Sequence, residues 1–336
     1  MRKSNTLIGI LLAATLALSG CGGAGSTTNE SENTGTEATS NYPTQPITLV
    51  CGYAAGGSSD LLCRILADSM TKEIGQPVTV VNTTGGGGFV AWTDFVNSTD
   101  ADGYTFALIN TPNLIMGKYD EANPRAFDET AMDLLANHVT DYNVIACRKD
   151  EARFNDLESF VKYASENDVV FGTSSVGIMS DDDTIAQTLN RELGTMMLPV
   201  VTTGAKDNET YLLNGSADVL VGNVSDVLTG VMNGDFEVFC VFAPERVELI
   251  PDVPTCEELG FGAIYGHSSR GYAFPQGVDP EIRQVFTDAL QKCIESEECI
   301  EALKSLGAET NFVPDSEYGT FLDDVRQNAK DIYGVE

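Results

Sequence analysis

A strand that stops in a glycine turn and resumes as a helix is the feature that most restricts this chain. Ile47 to Tyr53 is an apolar run with β character, and it ends at Ala54-Ala55-Gly56-Gly57. Ser58, Ser59 and Asp60 follow as helix-start residues, with Leu61, Leu62, Ile65, Leu66 and Met70 at helical spacing behind them. The order recurs. Val78 to Val81 is a strand followed by Gly85 to Gly88 and a helix over Val90 to Asn97, and Tyr104 to Ile109 is a third strand. Strands alternating with helices predict an α/β fold with mostly parallel sheets flanked by helices.

Further strand-like runs are Asn143 to Cys147, Val169 to Phe171, Val219 to Val221, Val238 to Phe242 and Tyr272 to Phe274. Helical patterns cover Leu157 to Ser165, Asp183 to Leu193 and the region from Pro280, broken near Gly307 to Pro314 and resumed at Ser316. A chain of 336 residues is long for a single core. The short runs near 143 and 272 are placed as crossings between two lobes with a hinge: residues 45–143 plus 272–336 form lobe I, and 144–271 form lobe II.

The N-terminus reads as an export signal. Arg2 and Lys3 precede an apolar stretch from Leu7 to Leu18, too short to span a bilayer, which takes ~20 apolar residues. It closes on Leu18-Ser19-Gly20-Cys21, which resembles the lipobox of bacterial lipoproteins. That resemblance implies cleavage after residue 20, a lipid on Cys21 and residence on the outer face of the cytoplasmic membrane. After Cys21, residues 22–44 are Gly, Ser, Thr, Asn and Glu with almost nothing apolar, so 21–44 reads as a disordered, flexible tether.

Nineteen basic against 50 acidic residues give a net charge of −31, which excludes a nucleic-acid partner. An anionic ligand must then be captured by local dipoles. The turn after the first strand suits that task. Glycine lets the backbone approach a ligand, and the helix start behind it offers free N–H groups and partial positive charge. A tight turn with Asp60 serving only the helix is the alternative reading. Cys51, Cys63, Cys147, Cys240, Cys256, Cys293 and Cys299 show no metal-ligand spacing and read as buried free thiols. No P-loop, dinucleotide fingerprint, nucleophile elbow or HExxH occurs, so no cofactor is implied and an enzyme is not expected. His138, His267 and the run Asp181-Asp182-Asp183 are read as structural, the acidic run as a solvated helix start.

In order, Tyr42-Pro43-x-x-Pro46-Ile47, Gly56-Gly57-x-x-Asp60, Gly75-Gln76-Pro77-Val78, Val81-Asn82-x-x-Gly85-x-Gly87-Gly88 and Asp102-Gly103-Tyr104-Thr105 appear. Phe171-Gly172-Thr173, Asn214-Gly215-x-x-Asp218, Pro251-Asp252-Val253-Pro254-Thr255 and Ala273-Phe274-Pro275-x-Gly277 follow. Together they resemble the solute receptors of tripartite tricarboxylate transporters over residues 42–336. The resemblance implies a two-lobed, periplasmic-binding-protein-like (type II) fold, monomeric, that captures a small carboxylate and delivers it to the transporter's membrane subunits. It places the ligand at Tyr53, Ala54, Ala55, Gly56, Gly57, Ser58, Ser59 and Asp60, then at Asn82, Gly85, Asn110, Thr111 and Pro112. From the second lobe it adds Thr173, Ser174, Ser175, Gly177, Ser180, Thr203, Gly204 and Asn223. The chain departs from the family at Gly52-Tyr53, at Asp181-Asp182-Asp183, at Pro199 to Gly204, and at Ser269-Arg270-Gly271-Tyr272, where a Trp is common. The loss of a positive group in the second lobe favours a less charged ligand. Two other readings are a ligand-sensing lipoprotein that presents to a membrane signalling partner, and an exported hydrolase using Ser and His267.

Overall fold

The computed structural model describes residues 41–119, 125–173, 180–202 and 205–333. The strands are β1 (Ile47–Cys51), β2 (Val78–Asn82), β3 (Thr105–Thr111), β4 (Met132–Arg148) and β5 (Val169–Thr173). They continue with β6 (Met197–Val201), β7 (Val219–Asn223), β8 (Phe236–Val241), β9 (His267–Pro275) and β10 (Thr310–Pro314). Two sheets share one strand. In the first, β1 lies between β2 and β3, all parallel, and β9, β4 and β10 continue it antiparallel. In the second, β5 lies between β6 and β7, all parallel, while β4 runs antiparallel to β7 and β8. Parallel pairing is therefore confined to the three βα strands of each sheet, and the connecting strands run antiparallel.

The shared strand β4 is 17 residues long. Met132 to Tyr142 pair with β9, and Asn143 to Arg148 pair with β7 and β8. Beside it, β9 begins with His267 opposite Tyr142, and Asn143 donates its N–H to the Gly266 carbonyl at 2.9 Å. The two sheets are thus joined where β4 and the start of β9 lie side by side.

Each sheet is covered on both faces, as its near-continuous apolar strands demand. On the first, Leu62, Leu66 and Met70 of the helix Ser58–Ile74 pack with Ile47, Leu49, Phe286 and Leu290. Its other face holds Trp92, Phe95, Ile109, Tyr318 and Leu322. The second sheet has Phe160, Phe171, Ile185 and Leu189 on one side and Val144, Leu220, Val227 and Phe236 on the other. Gly75 ends the first helix in the left-handed conformation, as a C-terminal glycine does. All seven cysteines from Cys51 to Cys299 are free and buried.

The expected strands and helices are present, several of them longer than their apolar runs. The N-terminal half of β4, together with β6, β10 and the helices Ala205–Leu213 and Val224–Asn233, does not appear in the sequence reading. In β4 the cause is polar content: Asn137, His138, Thr140 and Asp141 interrupt the apolar pattern yet are at most 5% exposed. Each is accommodated by tertiary bonds, such as Asn137 Nδ2 donating to the Asn311 carbonyl at 2.8 Å. His138 shares a 3.0 Å hydrogen bond with the Tyr272 hydroxyl and lies 3.6 Å from Cys299 Sγ. Burial lowers its pKa to about 3, so the ring is neutral and structural.

Candidate functional site

The carboxyl ends of β1, β3 and β7 lie near the shared strand and its neighbour β9, and such ends are where ligands bind in open α/β sheets. The first loop, Tyr53 to Gly57, is set by Asp60, which is 1% exposed. Its carboxylate accepts the Gly56 N–H at 2.8 Å, Asn82 Nδ2 at 2.8 Å, and both Nε and Nη2 of Arg64 at 2.9 and 2.8 Å. Burial opposes ionisation, but the Arg64 and backbone hydrogen bonds prevail and hold the carboxyl at about 2. Asn82 also donates to the Tyr53 carbonyl at 3.0 Å. Asp60 and Asn82 therefore act inside the loop as its frame.

The Gly57 N–H bonds the Ala54 carbonyl at 3.2 Å, so both glycine amides of this turn are engaged internally. The next amides are differently placed. The helix Ser58–Ile74 starts at Gly57 without a side-chain cap. The N–H groups of Ser58, Ser59 and Asp60 have no intrahelical carbonyl, and they carry the positive end of a 17-residue helix. The positive potential of this turn thus sits at its helix start.

The glycine run behind it is packed against β1. A Cβ on Gly52 would lie 2.8 Å from the Gly88 Cα, and Gly88, at φ 100°, sits over the Trp92 ring. Tyr53 donates its hydroxyl to the Gly87 carbonyl at 3.2 Å, and Asn113 Nδ2 donates to that hydroxyl at 3.5 Å. Gly85 anchors this run through its carbonyl, which accepts from Gly88 and Val90. Ala54 and Ala55 are on the rim, both exposed. At the end of β3, Asn110 Oδ1 accepts from Ser268 Oγ at 3.1 Å, Thr111 donates to the Ser269 carbonyl at 3.4 Å, and Pro112 lines a cavity.

On the second sheet, Thr173 and Ser180 share a 2.7 Å hydroxyl hydrogen bond, and Ser180 caps the helix Asp181–Leu193. Asn223 Nδ2 donates to the Asp141 carbonyl and to Asp181 Oδ2, both at 2.9 Å, and Asn143 Nδ2 donates to that same oxygen at 2.9 Å. Ser174, Ser175, Gly177, Thr203, Gly204 and Cys21 lie outside the described residues. The acidic run is not solvated as expected. Asp181, Asp182 and Asp183 are 8%, 3% and 1% exposed, and burial pushes the Asp183 carboxyl up to about 7. No cluster of metal-ligating side chains occurs among the described residues.

Two cavities flank the junction. One of about 300 Å³ is lined by Pro112, Tyr142, Asp181, Pro244, His267 and Phe321, among others. Here His267 stacks on Phe321 at 5.5 Å and shares a 2.7 Å hydrogen bond with Ser269. Ser269 is fully buried within β9, its hydroxyl also 3.4 Å from that of Thr140 on β4, so it offers no accessible nucleophile. The other cavity, about 150 Å³, has Ser58, Val139, Ser225, Arg270, Leu303 and Leu306 in its wall.

Sequence reasoning missed Arg270, Asp141 and Ser225. Asp141, 4% exposed, accepts from the Ser225 N–H at 3.3 Å and hydroxyl at 2.5 Å, and stands 3.9 Å from Arg270 Nη1. Burial raises its pKa, against the opposing pull of Arg270 and Ser225. The available signal was Arg270 itself, a cation inside a strand whose neighbours are apolar or small, since unpaired Arg is almost never fully buried.

Comparison with known proteins places these features in a family. The tripartite tricarboxylate transporter family receptor matches residues 62–334. BugT of Bordetella pertussis is 24% identical over 292 residues, covering 86% of this chain and 88% of that protein. A solved TctC solute binding protein from Polaromonas, without ligand, has 25% identity and a TM-score of 0.74, covering 88% of this chain and 99% of its own. MatC from Rhodopseudomonas palustris with bound malate has 22% identity and a TM-score of 0.71, covering 87% and 100%. The fold is accordingly the two-lobed, periplasmic-binding-protein-like one. This chain belongs to the tripartite tricarboxylate transporter receptor family, whose members are solute-binding receptors and not enzymes.

Proposed function

We propose that this chain is an extracytoplasmic receptor that captures a small carboxylate between its lobes and delivers it to the membrane subunits of a tripartite transporter. The observation that carries this reading is the uncapped start of the helix Ser58–Ile74, held in place by the buried Asp60 frame. Free first-turn amides at a helix start bind carboxylate without a basic side chain, which suits a chain of net charge −31. MatC, which carries malate, shares the fold and lends the ligand class support. The proposed contacts are the loop from Tyr53 to Asp60 and the ends of β3 and β7, together with Ser174, Ser175, Gly177, Thr203 and Gly204.

The proposal extends to a signal peptide over 1–20, a lipid on Cys21 and a tether that ends short of the expected residue 44, because Tyr42 already belongs to the folded body, its hydroxyl donating to the Gly103 carbonyl at 2.6 Å, with the receptor working as a monomer. No helix among the described residues is long and apolar enough to cross a membrane. Thermal denaturation with a panel of mono-, di- and tricarboxylates tests the binding reading. A member present at 100 times its Kd adds about 2.7 kcal/mol; folded protein stabilised by none of them refutes it. Mass spectrometry of the N-terminal peptide from a bacterial host, beside Cys21→Ser, tests the lipid.

A further inference from the structure

We propose that Arg270 is a specificity-determining residue, a buried cation that pairs directly with the carboxylate brought to the start of the helix Ser58–Ile74. The inference rests on the carboxylate reading above and adds a charged side chain to a site otherwise built from backbone dipoles. Arg270 is 7% exposed, and its Nε has no hydrogen-bond partner. Its only anionic neighbour within 4 Å among the described residues, Asp141, is 3.9 Å from Nη1, beyond hydrogen-bond length. Asp141 is itself engaged by the N–H and hydroxyl of Ser225.

A guanidinium offers five donors in a fixed fork that matches a carboxylate. Leaving one of them unpaired in the interior is costly, and a ligand carboxylate supplies the missing acceptor. The cavity that Arg270 lines also contains Ser58, the first residue of the uncapped helix, so both attractions act on one small volume. At about 150 Å³ it is smaller than the ~300–1,000 Å³ of typical ligand pockets, so it receives an acidic headgroup and leaves the rest of the solute outside. The buried apolar wall of Leu62, Val139 and Leu303 lowers the local dielectric and so strengthens the pair.

The test compares an acid with its carboxamide. Calorimetry on the full mature protein gives Kd for the tightest carboxylate of the panel and for the analogue in which every carboxylate is an amide. The ratio of the two Kd values is then measured in Arg270→Gln and Arg270→Lys. Direct pairing predicts that the ratio falls at least tenfold in R270Q and is partly kept in R270K, with thermal denaturation confirming that both fold. A structural role weakens acid and amide alike and leaves the ratio intact, which overturns the inference while leaving the receptor reading standing. If R270Q does not fold, R270K decides alone: a ratio equal to that of the parent overturns the inference. A parent protein that binds no carboxylate overturns both.

Discussion

Asp60 and Arg64 face each other across one turn of the first helix in a two-pronged ion pair, with Oδ1 at 2.8 Å from Nη2 and Oδ2 at 2.9 Å from Nε. The same two oxygens accept from Asn82 and from the Gly56 N–H. One buried carboxylate therefore joins β2, the glycine turn and the helix that begins the candidate anion site.

Replacing Asp60 with Ala removes four acceptor contacts at a residue only 1% exposed. Charge-assisted hydrogen bonds of this kind predict a loss of about 2 kcal/mol and a turn that no longer holds its shape. Urea denaturation measures the stability, and carboxylate affinity is expected to fall with it. A simple helix-cap role would leave affinity unchanged.

The same carboxyl makes acid sensitivity predictable. Its folded pKa, about 2, lies below the unfolded value of about 3.9. The stability it supplies is complete above pH 4 and is lost as pH falls from about 4 to 2. Subtracting the Asp60→Asn acid-denaturation profile from that of the parent should isolate a change confined to that window.

Asp226 behaves in the opposite sense. Burial, with the nearby Asp141 charge, pushes its carboxyl up to about 7, while the Asn223 N–H and Arg270 pull it down. The native state therefore holds this proton more tightly than the unfolded chain does. Stability is full below about pH 4 and declines as pH rises to 7. Asp226→Asn should match the parent at pH 4 and exceed it at pH 8 by on the order of 3 kcal/mol, as read by denaturant midpoints.

Gly52→Ala tests the contact between β1 and the glycine run. The new methyl would sit 2.8 Å from the Gly88 Cα, backbone that cannot swing aside. Overpacking of this kind costs about 1–3 kcal/mol. Calorimetric melting should show that loss, with weaker carboxylate binding because Tyr53 and its loop shift together.

Seven buried thiols predict slow chemistry. A thiol reagent should label almost none of them in native protein and all seven once denaturant is added. Rapid labelling of any one of them in the native state would contradict the packing around it.

How legible each element was in the sequence follows from where its reasons lie. The βα units of β1, β2 and β3 were readable because each is specified locally, by an apolar run, a glycine turn and a helix start within some 25 residues. The N-terminal half of β4 was not, because residues such as His138 and Asn137 are made tolerable by partners more than 100 positions away, Tyr272 and Asn311. At the candidate site, the first turn was identified, but not the roles of its parts. Asp60 and Asn82 frame the loop, and the amides left open are those of the helix start.

By itself the sequence determined the alternation of strands and helices, the acidic surface, the glycine turn and, through ordered motifs, the family. Those depend on spacing along the chain and on composition. Only the tertiary structure decided that β4 joins both sheets and that Ser58 and Arg270 share one cavity. They are 212 residues apart in the chain, and no local pattern encodes their meeting. It arises because β9 returns to lie between β3 and β4, carrying a lone cation to the place where the first helix begins.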